Sequence, residues 1–358
     1  MTSHNDITIL RDLARQYVEL TQKPVQEQRR RLWTDHFSLK KTSPPIVALF
    51  GMWNAWCIEF FSDDKLRCQD PLYRNYERWF QIQMFQDSIN DDTILEPWVT
   101  VRATFKVPQG NFGEPWGAPH DRHRSEAEGS WVAEPFIKNW DDARQLTPPK
   151  HEIDEEATAA AVNKLRDAIG DILEVEVNRG PILHNFSGDI STTLGGLRGI
   201  QQLMMDMYET PDELHAFLAF MRDGVLANQQ QAEDAGDYSL TCQHNQAMTY
   251  ADQLEPPRAN SGPCRRSQLW GFCAAQEYTL MSPAFHDEFL FQYQMPIFEK
   301  YGLVHYGCCE DLTQKIDMLR QLKNLRSIAV SPRADVRKCS EQIGTDYVMS
   351  WRPNPTMA

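Results

Sequence analysis

The sequence predicts an α/β fold, and three observations carry that expectation. Short apolar, β-branched or aromatic runs recur along the chain, most are followed by a helical stretch, and no Pro/Gly/Ser-rich linker separates two halves. Alternation of this kind argues for parallel strands joined by crossover helices. The eight runs suggest a (β/α)8 barrel with an N-terminal helical extension, read as one domain over residues 1–358. A doubly wound open sheet is the main alternative, because alternation alone does not separate the two.

Taken in order, residues 1–40 read as N-terminal helices, charged and Ala/Leu-rich from Asp6 to Phe37. The strand candidates are Pro45–Phe50, Leu95–Phe105, Ile182–Phe186, Tyr238–Cys242, Leu269–Ala274, Leu303–Tyr306, Ser327–Val330 and Tyr347–Ser350. Thr210-Pro211-Asp212-Glu213 carries the residues of a capping box, with Pro at the first helical position. Ser282-Pro283 repeats the Ser-then-Pro start, and Ser331-Pro332 leads into a short helix that Gly344 closes. The one long irregular region spans residues 108–149, and a loop of that length in a compact domain reads as a lid over the barrel mouth. A helix over Asp154–Ile169 follows it.

Composition narrows the partners. Of 358 residues, 41% are hydrophobic and 24% charged, with 10 Trp and 17 Phe, which supplies a sizeable core and excludes a disordered chain. The net charge of −14 disfavours nucleic acid and anionic membrane surfaces. A mean hydropathy of −0.54, no apolar run of spanning length and no secretory-type N-terminus lead to the expectation of a cytoplasmic protein. The 8 Cys form no CxxC and no dense framework, so the thiols are expected free or on metal.

Barrel chemistry sits at the C-terminal strand ends, and polar residues concentrate there in this chain. One strand runs into Cys242-Gln243-His244, the next into Cys273-Ala274-Ala275-Gln276-Glu277, and the next into His305-Tyr306-Gly307-Cys308-Cys309-Glu310. Residues two apart share a strand face, which pairs Cys242 with His244, Cys273 with Glu277 and His305 with Cys309. Thiols, imidazoles and a carboxylate at neighbouring strand ends are a tetrahedral zinc donor set. Gly307 would let the chain turn so that both Cys308 and Cys309 reach one ion. Cys57, Cys68, Cys264 and Cys339 read instead as ordinary packing or exposed thiols. Trp53, Trp56, Trp98, Trp116 and Trp131 either wall a flat ring-shaped ligand or belong to the core. His184 and Asp189 flank the third strand end. Walker A, Rossmann, HExxH and GxSxG motifs do not occur.

The second half resembles the uroporphyrinogen decarboxylase superfamily, in its cobalamin-dependent methyltransferase-like branch. The resemblance rests on Ala275-Gln276-Glu277 with Ser282-Pro283, then Tyr306-Gly307-Cys308-Cys309-Glu310-Asp311-Leu312. It continues through Val330-Ser331-Pro332 with Asp335, and Asp346-Tyr347-Val348 leading to Pro353-Asn354-Pro355. It implies a (β/α)8 barrel in which zinc at the mouth activates a small methylated substrate, and a corrinoid (cobalamin) protein exchanges the methyl group. On that reading His305, Cys308, Cys309 and Glu277 form the metal set, Glu277 and His244 manage protons, and Trp53, His184 and Tyr306 line the substrate; a homodimer is admitted as the assembly. Two departures stand out. The RQAGR-like stretch of true uroporphyrinogen decarboxylases has no counterpart, and the His-x-Cys-Gly motif of thiol methyltransferases is replaced by His305-Tyr306-Gly307-Cys308. Competing readings are a metal-independent decarboxylase or lyase on a cyclic carboxylic acid, held by Arg102, Arg122 and Arg124, and a non-catalytic corrinoid- or tetrapyrrole-binding protein.

Overall fold

The structure is a computed structural model and describes residues 4–48, 58–110, 112–119, 122–124, 131–243, 248–354 and 356. Its longer elements in chain order begin with α1 (His4–Thr21), α2 (Pro24–Phe37), α3 (Pro71–Ile89), β1 (Trp98–Arg102), β2 (Arg122–Arg124) and β3 (Trp131–Ala133). Then come α4 (Glu155–Ile169), β4 (Glu174–Asn178), α5 (Ser191–Arg198), α6 (Ile200–Glu209), α7 (Pro211–Asp234) and β5 (Trp270–Cys273). The chain closes with α8 (Gln292–Phe298), β6 (Leu303–Tyr306), β7 (Leu325–Val330), α9 (Val336–Ile343) and β8 (Val348–Trp351). This is a mixed α/β architecture with parallel sheets, and it divides into two compact units. Among the described residues no helix is long and apolar enough to cross a membrane.

The first unit comprises Met1–Thr104, Ile153–Asn178 and Ala247–Ser261. Ile9, Leu10, Leu13, Ala14 and Tyr17 recur at helical spacing on α1 and are buried against Tyr73, Phe80, Val99, Val101, Val162 and Leu165. Asp70 starts α3 by accepting from the Leu72 and Tyr73 amides at 3.0 and 3.3 Å, with Pro71 behind it, and Asn90 ends it in the left-handed region. Asp154 caps α4 through the Ala157 amide at 3.0 Å. β1 and β4 pair in parallel, with Trp98 opposite Glu174.

The second unit comprises Phe105–Glu152, Arg179–Gln246 and Gly262–Ala358. Its sheet runs β5-β6-β7-β8, every neighbour parallel and in sequential order. All four residues of β5 and all four of β6 are buried, as expected of strands covered on both faces. Ser282 caps the turn Pro283–His286 through the Phe285 amide at 3.2 Å, as its Ser-Pro start predicts.

Several expectations need correction. The described part of Pro45–Phe50 forms no strand, and residues 49–50 lie outside the described residues. Ile182–Phe186 is turn and 3-10 structure around Asn185–Ser187; the strand is β4, eight residues earlier by its first residue. Its Glu-Val-Glu-Val alternation reads as a weak polar strand, yet Glu176 is buried. Tyr238–Cys242 is a turn, closed by the Cys242 amide donating to the Ser239 carbonyl at 2.9 Å. Thr210 precedes α7 but makes no capping bond, because its hydroxyl donates to Asp206 at 3.1 Å. Ser331-Pro332 is a turn, and Asp335 caps α9 instead, with Gly344 closing it at φ 54°.

Described parts of the 108–149 region form a 3-10 turn at Glu114–Trp116, the antiparallel β2–β3 ribbon and a helical turn at Trp140–Ala143. Trp116 is core: it is fully buried 5.5 Å from the Phe220 ring, and Gly224 leaves it room.

Candidate active site

The chemistry of the second unit gathers where β5 and β6 end, the end at which open and closed parallel sheets alike hold ligands. β6 leaves the sheet through Gly307 at φ 104°, where a Cβ would lie 2.8 Å from Leu312 Cδ1 and 2.9 Å from the Ala329 Cβ. Only glycine takes that backbone without strain. The next two residues present their thiols side by side, Cys308 Sγ 3.5 Å from Cys309 Sγ. The hydrogen bond with Cys308 draws the Cys309 thiol down to about 7, Arg352 helping, against burial and the charges of Glu310 and Glu277. Cys309 is exposed and Cys308 half-buried, so reagents reach the pair.

Three carboxyl groups surround this turn. Glu310 is completely buried, and both its oxygens accept backbone amides at 2.8 Å, one from Ala275 and one from Cys308. Asp189 is equally buried and accepts from the Thr192 amide at 2.9 Å and hydroxyl at 3.0 Å. Burial, reinforced by the charge of Glu277, pushes the Asp189 acid well above its usual range. Glu277 is half-buried, and burial also raises its carboxyl, opposed by a 2.8 Å hydrogen bond from the Ser191 hydroxyl. Gly195 on α5 makes room for it, since a Cβ there would meet Glu277 Cγ at 2.5 Å.

Behind the carboxyls, the Gln294 amide donates to the Asp189 carbonyl at 2.7 Å and to the Ala274 carbonyl at 2.9 Å, tying α8 to the end of β5. Between Asp189 and Ser191, Ile190 takes φ 67° and ψ −50°, a strained turn for a β-branched residue.

Of the residues expected in the site, the structure brings Cys308 and Cys309 into contact, and Glu277 reaches them only through its charge, which acts to raise the Cys309 thiol. His305 and Tyr306 belong to the interior. Tyr306 is fully buried, donates to Gln294 Oε1 at 2.8 Å and meets His286 Nε2 at 2.9 Å. His305 is buried with Nε2 3.1 Å from the Gly307 carbonyl and Nδ1 3.0 Å from Ser327 Oγ. The carbonyl only accepts, so Nε2 carries the proton and Nδ1 accepts from Ser327; both nitrogens are committed within the fold. His184 sits at the start of the turn Asn185–Ser187, its Nδ1 3.3 Å from the Ile182 carbonyl. Cys273 is packed inside β5, where burial pushes its thiol well up. His244, Trp53 and Trp56 lie outside the described residues. Among the described residues no three His, Cys, Asp or Glu side chains converge as a metal site.

Sequence reasoning names Glu310 only as part of the Cys308-Cys309-Glu310 run, with no role of its own, and passes over Ser191 and Arg352. The last follows β8 directly, its amide donating to the Val330 carbonyl at 2.9 Å and its guanidinium donating to the Cys308 carbonyl. Looking at every strand end, including the last, would have found it.

A cleft of about 530 Å3 lies elsewhere, in the first unit, beside Arg30, Glu96, Trp98 and Tyr250. Arg30 donates to one Glu96 oxygen at 3.0 Å and the Tyr250 hydroxyl to the other at 2.5 Å, and the second acidic residue of the lining, Glu174, accepts from the Asn260 side-chain amide at 3.1 Å. No protein-family model and no curated protein matches this chain.

Proposed function

We propose that this chain is a thiol-centred methyltransferase or demethylase of the (β/α)8 type, acting on a small methylated substrate with a corrinoid protein as methyl partner. One observation carries the reading: Cys308 and Cys309 present two thiols 3.5 Å apart at a strand end, beside a carboxyl group of raised pKa. The sequential parallel order of β5 to β8 supports the topology, since barrel strands follow one another in this way.

The donor chemistry of the turn fits zinc, which favours thiolate, and Cys309 is populated as thiolate near neutral pH. Cys308 and Cys309 are the residues that would hold it. Zinc there would act as a Lewis acid on the ether, amine or thiol centre that gives up or takes the methyl group. Glu310 holds the Ala275 and Cys308 amides with its two oxygens, a backbone-fixing part. Glu277 handles the proton of the demethylated heteroatom: burial raises its carboxyl above the usual range, and Ser191 fixes the carboxyl in place. Asp189 and Gln294 hold the loop bearing Ser191.

The test is methyl transfer to or from free cobalamin, followed by its absorbance change across a panel of methylated amines, ethers and thiols. The wild-type chain should turn over at least one class, and Cys308→Ala and Cys309→Ala should each abolish it. Equal rates in wild type and both variants would reject the reading.

A further inference from the structure

The Cys308 peptide unit is held from both sides by other strands. On one side its amide donates to Glu310 Oε2 at 2.8 Å, while Glu310 Oε1 accepts from the Ala275 amide at 2.8 Å, just past β5. On the other side its carbonyl accepts from the guanidinium of Arg352, just past β8. The Arg352 amide continues the sheet by donating to the Val330 carbonyl at 2.9 Å, which fixes the root of that side chain. Thus the ends of β5 and β8 both grip the residue carrying the first thiol of the pair. Glu310 is fully buried with each oxygen on a backbone amide, and a buried carboxylate is costly to keep unless it does something for the fold or the site.

We infer that Glu310 and Arg352 are positioning residues that clamp the Cys308 backbone so that the two thiols meet one thiophilic atom. The inference rests on the proposed thiol centre, but it concerns the geometry of the pair and not methyl transfer. Outer partners that orient ligands in this way typically change affinity by about 10-fold to about 100-fold when removed.

The probe is phenylarsine oxide, whose arsenic takes both thiols: two As–S bonds form and the As–O oxygen leaves as water with the two thiol protons. Monofunctional iodoacetamide alkylates a single thiol and reports access alone. With the full chain held well below its melting temperature, Arg352→Met should slow arsenical capture by about 10-fold to about 100-fold while alkylation changes little. Arg352→Lys keeps a donor for the carbonyl and should recover most of the capture rate. Glu310→Gln, which turns an amide N–H toward one of the two backbone donors, should slow capture in the same range.

Arsenical capture at the wild-type rate in Arg352→Met overturns the inference, even if the melting temperature falls, because that is the signature of a purely structural residue. An Arg352→Met chain that fails to fold assigns Arg352 to the fold and overturns it as well. A wild-type chain that shows clamped capture but no zinc leaves the clamp standing and rejects only the zinc reading.

Discussion

Ser191 Oγ lies 2.8 Å from Glu277 Oε2 and 3.2 Å from the Ala274 carbonyl. The hydroxyl has one proton for two partners, and the carbonyl only accepts. Ser191 donates to Glu277 while the carboxyl is ionised; once Glu277 takes up a proton it can donate to Ser191 and leave Ser191 to donate to the Ala274 carbonyl. Burial of Glu277 favours that uptake and the Ser191 bond opposes it.

Replacing Glu277 by Gln preserves shape and a hydrogen-bond donor but removes the transferable proton. Glu277→Gln should keep the fold and its metal content while turnover falls by about 100-fold to about 10,000-fold, the usual worth of a positioned proton donor. Zinc analysis and rate measurements on the same preparation check this; loss of zinc in parallel with rate would make Glu277 a ligand instead.

Gly195 should tolerate no side chain. Gly195→Ala puts a Cβ 2.5 Å from Glu277 Cγ, and overpacking of this kind costs about 1–3 kcal/mol. Because α5 and Glu277 cannot both stay in place, the variant should lose turnover more steeply than stability, by about 100-fold. Chemical denaturation and rate measurements, side by side, decide it.

Asp189 gives a pH prediction. Its folded-state pKa is raised, first by burial and then by Glu277. A raised acid contributes stability that is complete below the unfolded value of about 3.9 and is lost as pH rises through the folded value. Asp189→Asn removes that titration while keeping an acceptor for the Thr192 amide and a donor for its hydroxyl. The melting-temperature difference, variant minus wild type, should therefore grow as pH rises above the unfolded value of about 3.9. A difference that is flat with pH contradicts the assignment.

Arg198 and Asp206 offer a contrast away from the thiols. They form a buried bidentate pair with contacts of 2.7 and 2.9 Å, and removing one partner strands the other charge. Asp206→Ala should cost about 3–5 kcal/mol in denaturant unfolding and leave the thiol chemistry of the folded protein unchanged.

The sequence made the later strands readable because each of β5 to β8 is a largely apolar run with a clear end, and the thiol turn stands at one of those ends. β4 was hidden by its glutamates, since a buried Glu176 that accepts from the Asn260 amide looks like a surface residue in sequence. Strand parity put His305 on the face of Cys309, but parity cannot see Ser327 and Gly307 occupying both its nitrogens. Tyr306 turned inward for a similar reason, toward Gln294 and His286 on elements that local patterning does not connect. Ser191 follows a strained turn at Ile190, and no short-range signal announces such a turn.

The thiol-held zinc centre is tested most directly by the metal content of the purified full chain, determined by elemental analysis for wild type, Cys308→Ala and Cys309→Ala. Wild type should carry about one zinc per chain, as a thiolate-rich strand-end site would. Each variant should lose most of it while keeping the wild-type circular dichroism. A wild-type chain that is metal-free and still transfers methyl groups in the presence of chelator would contradict the account.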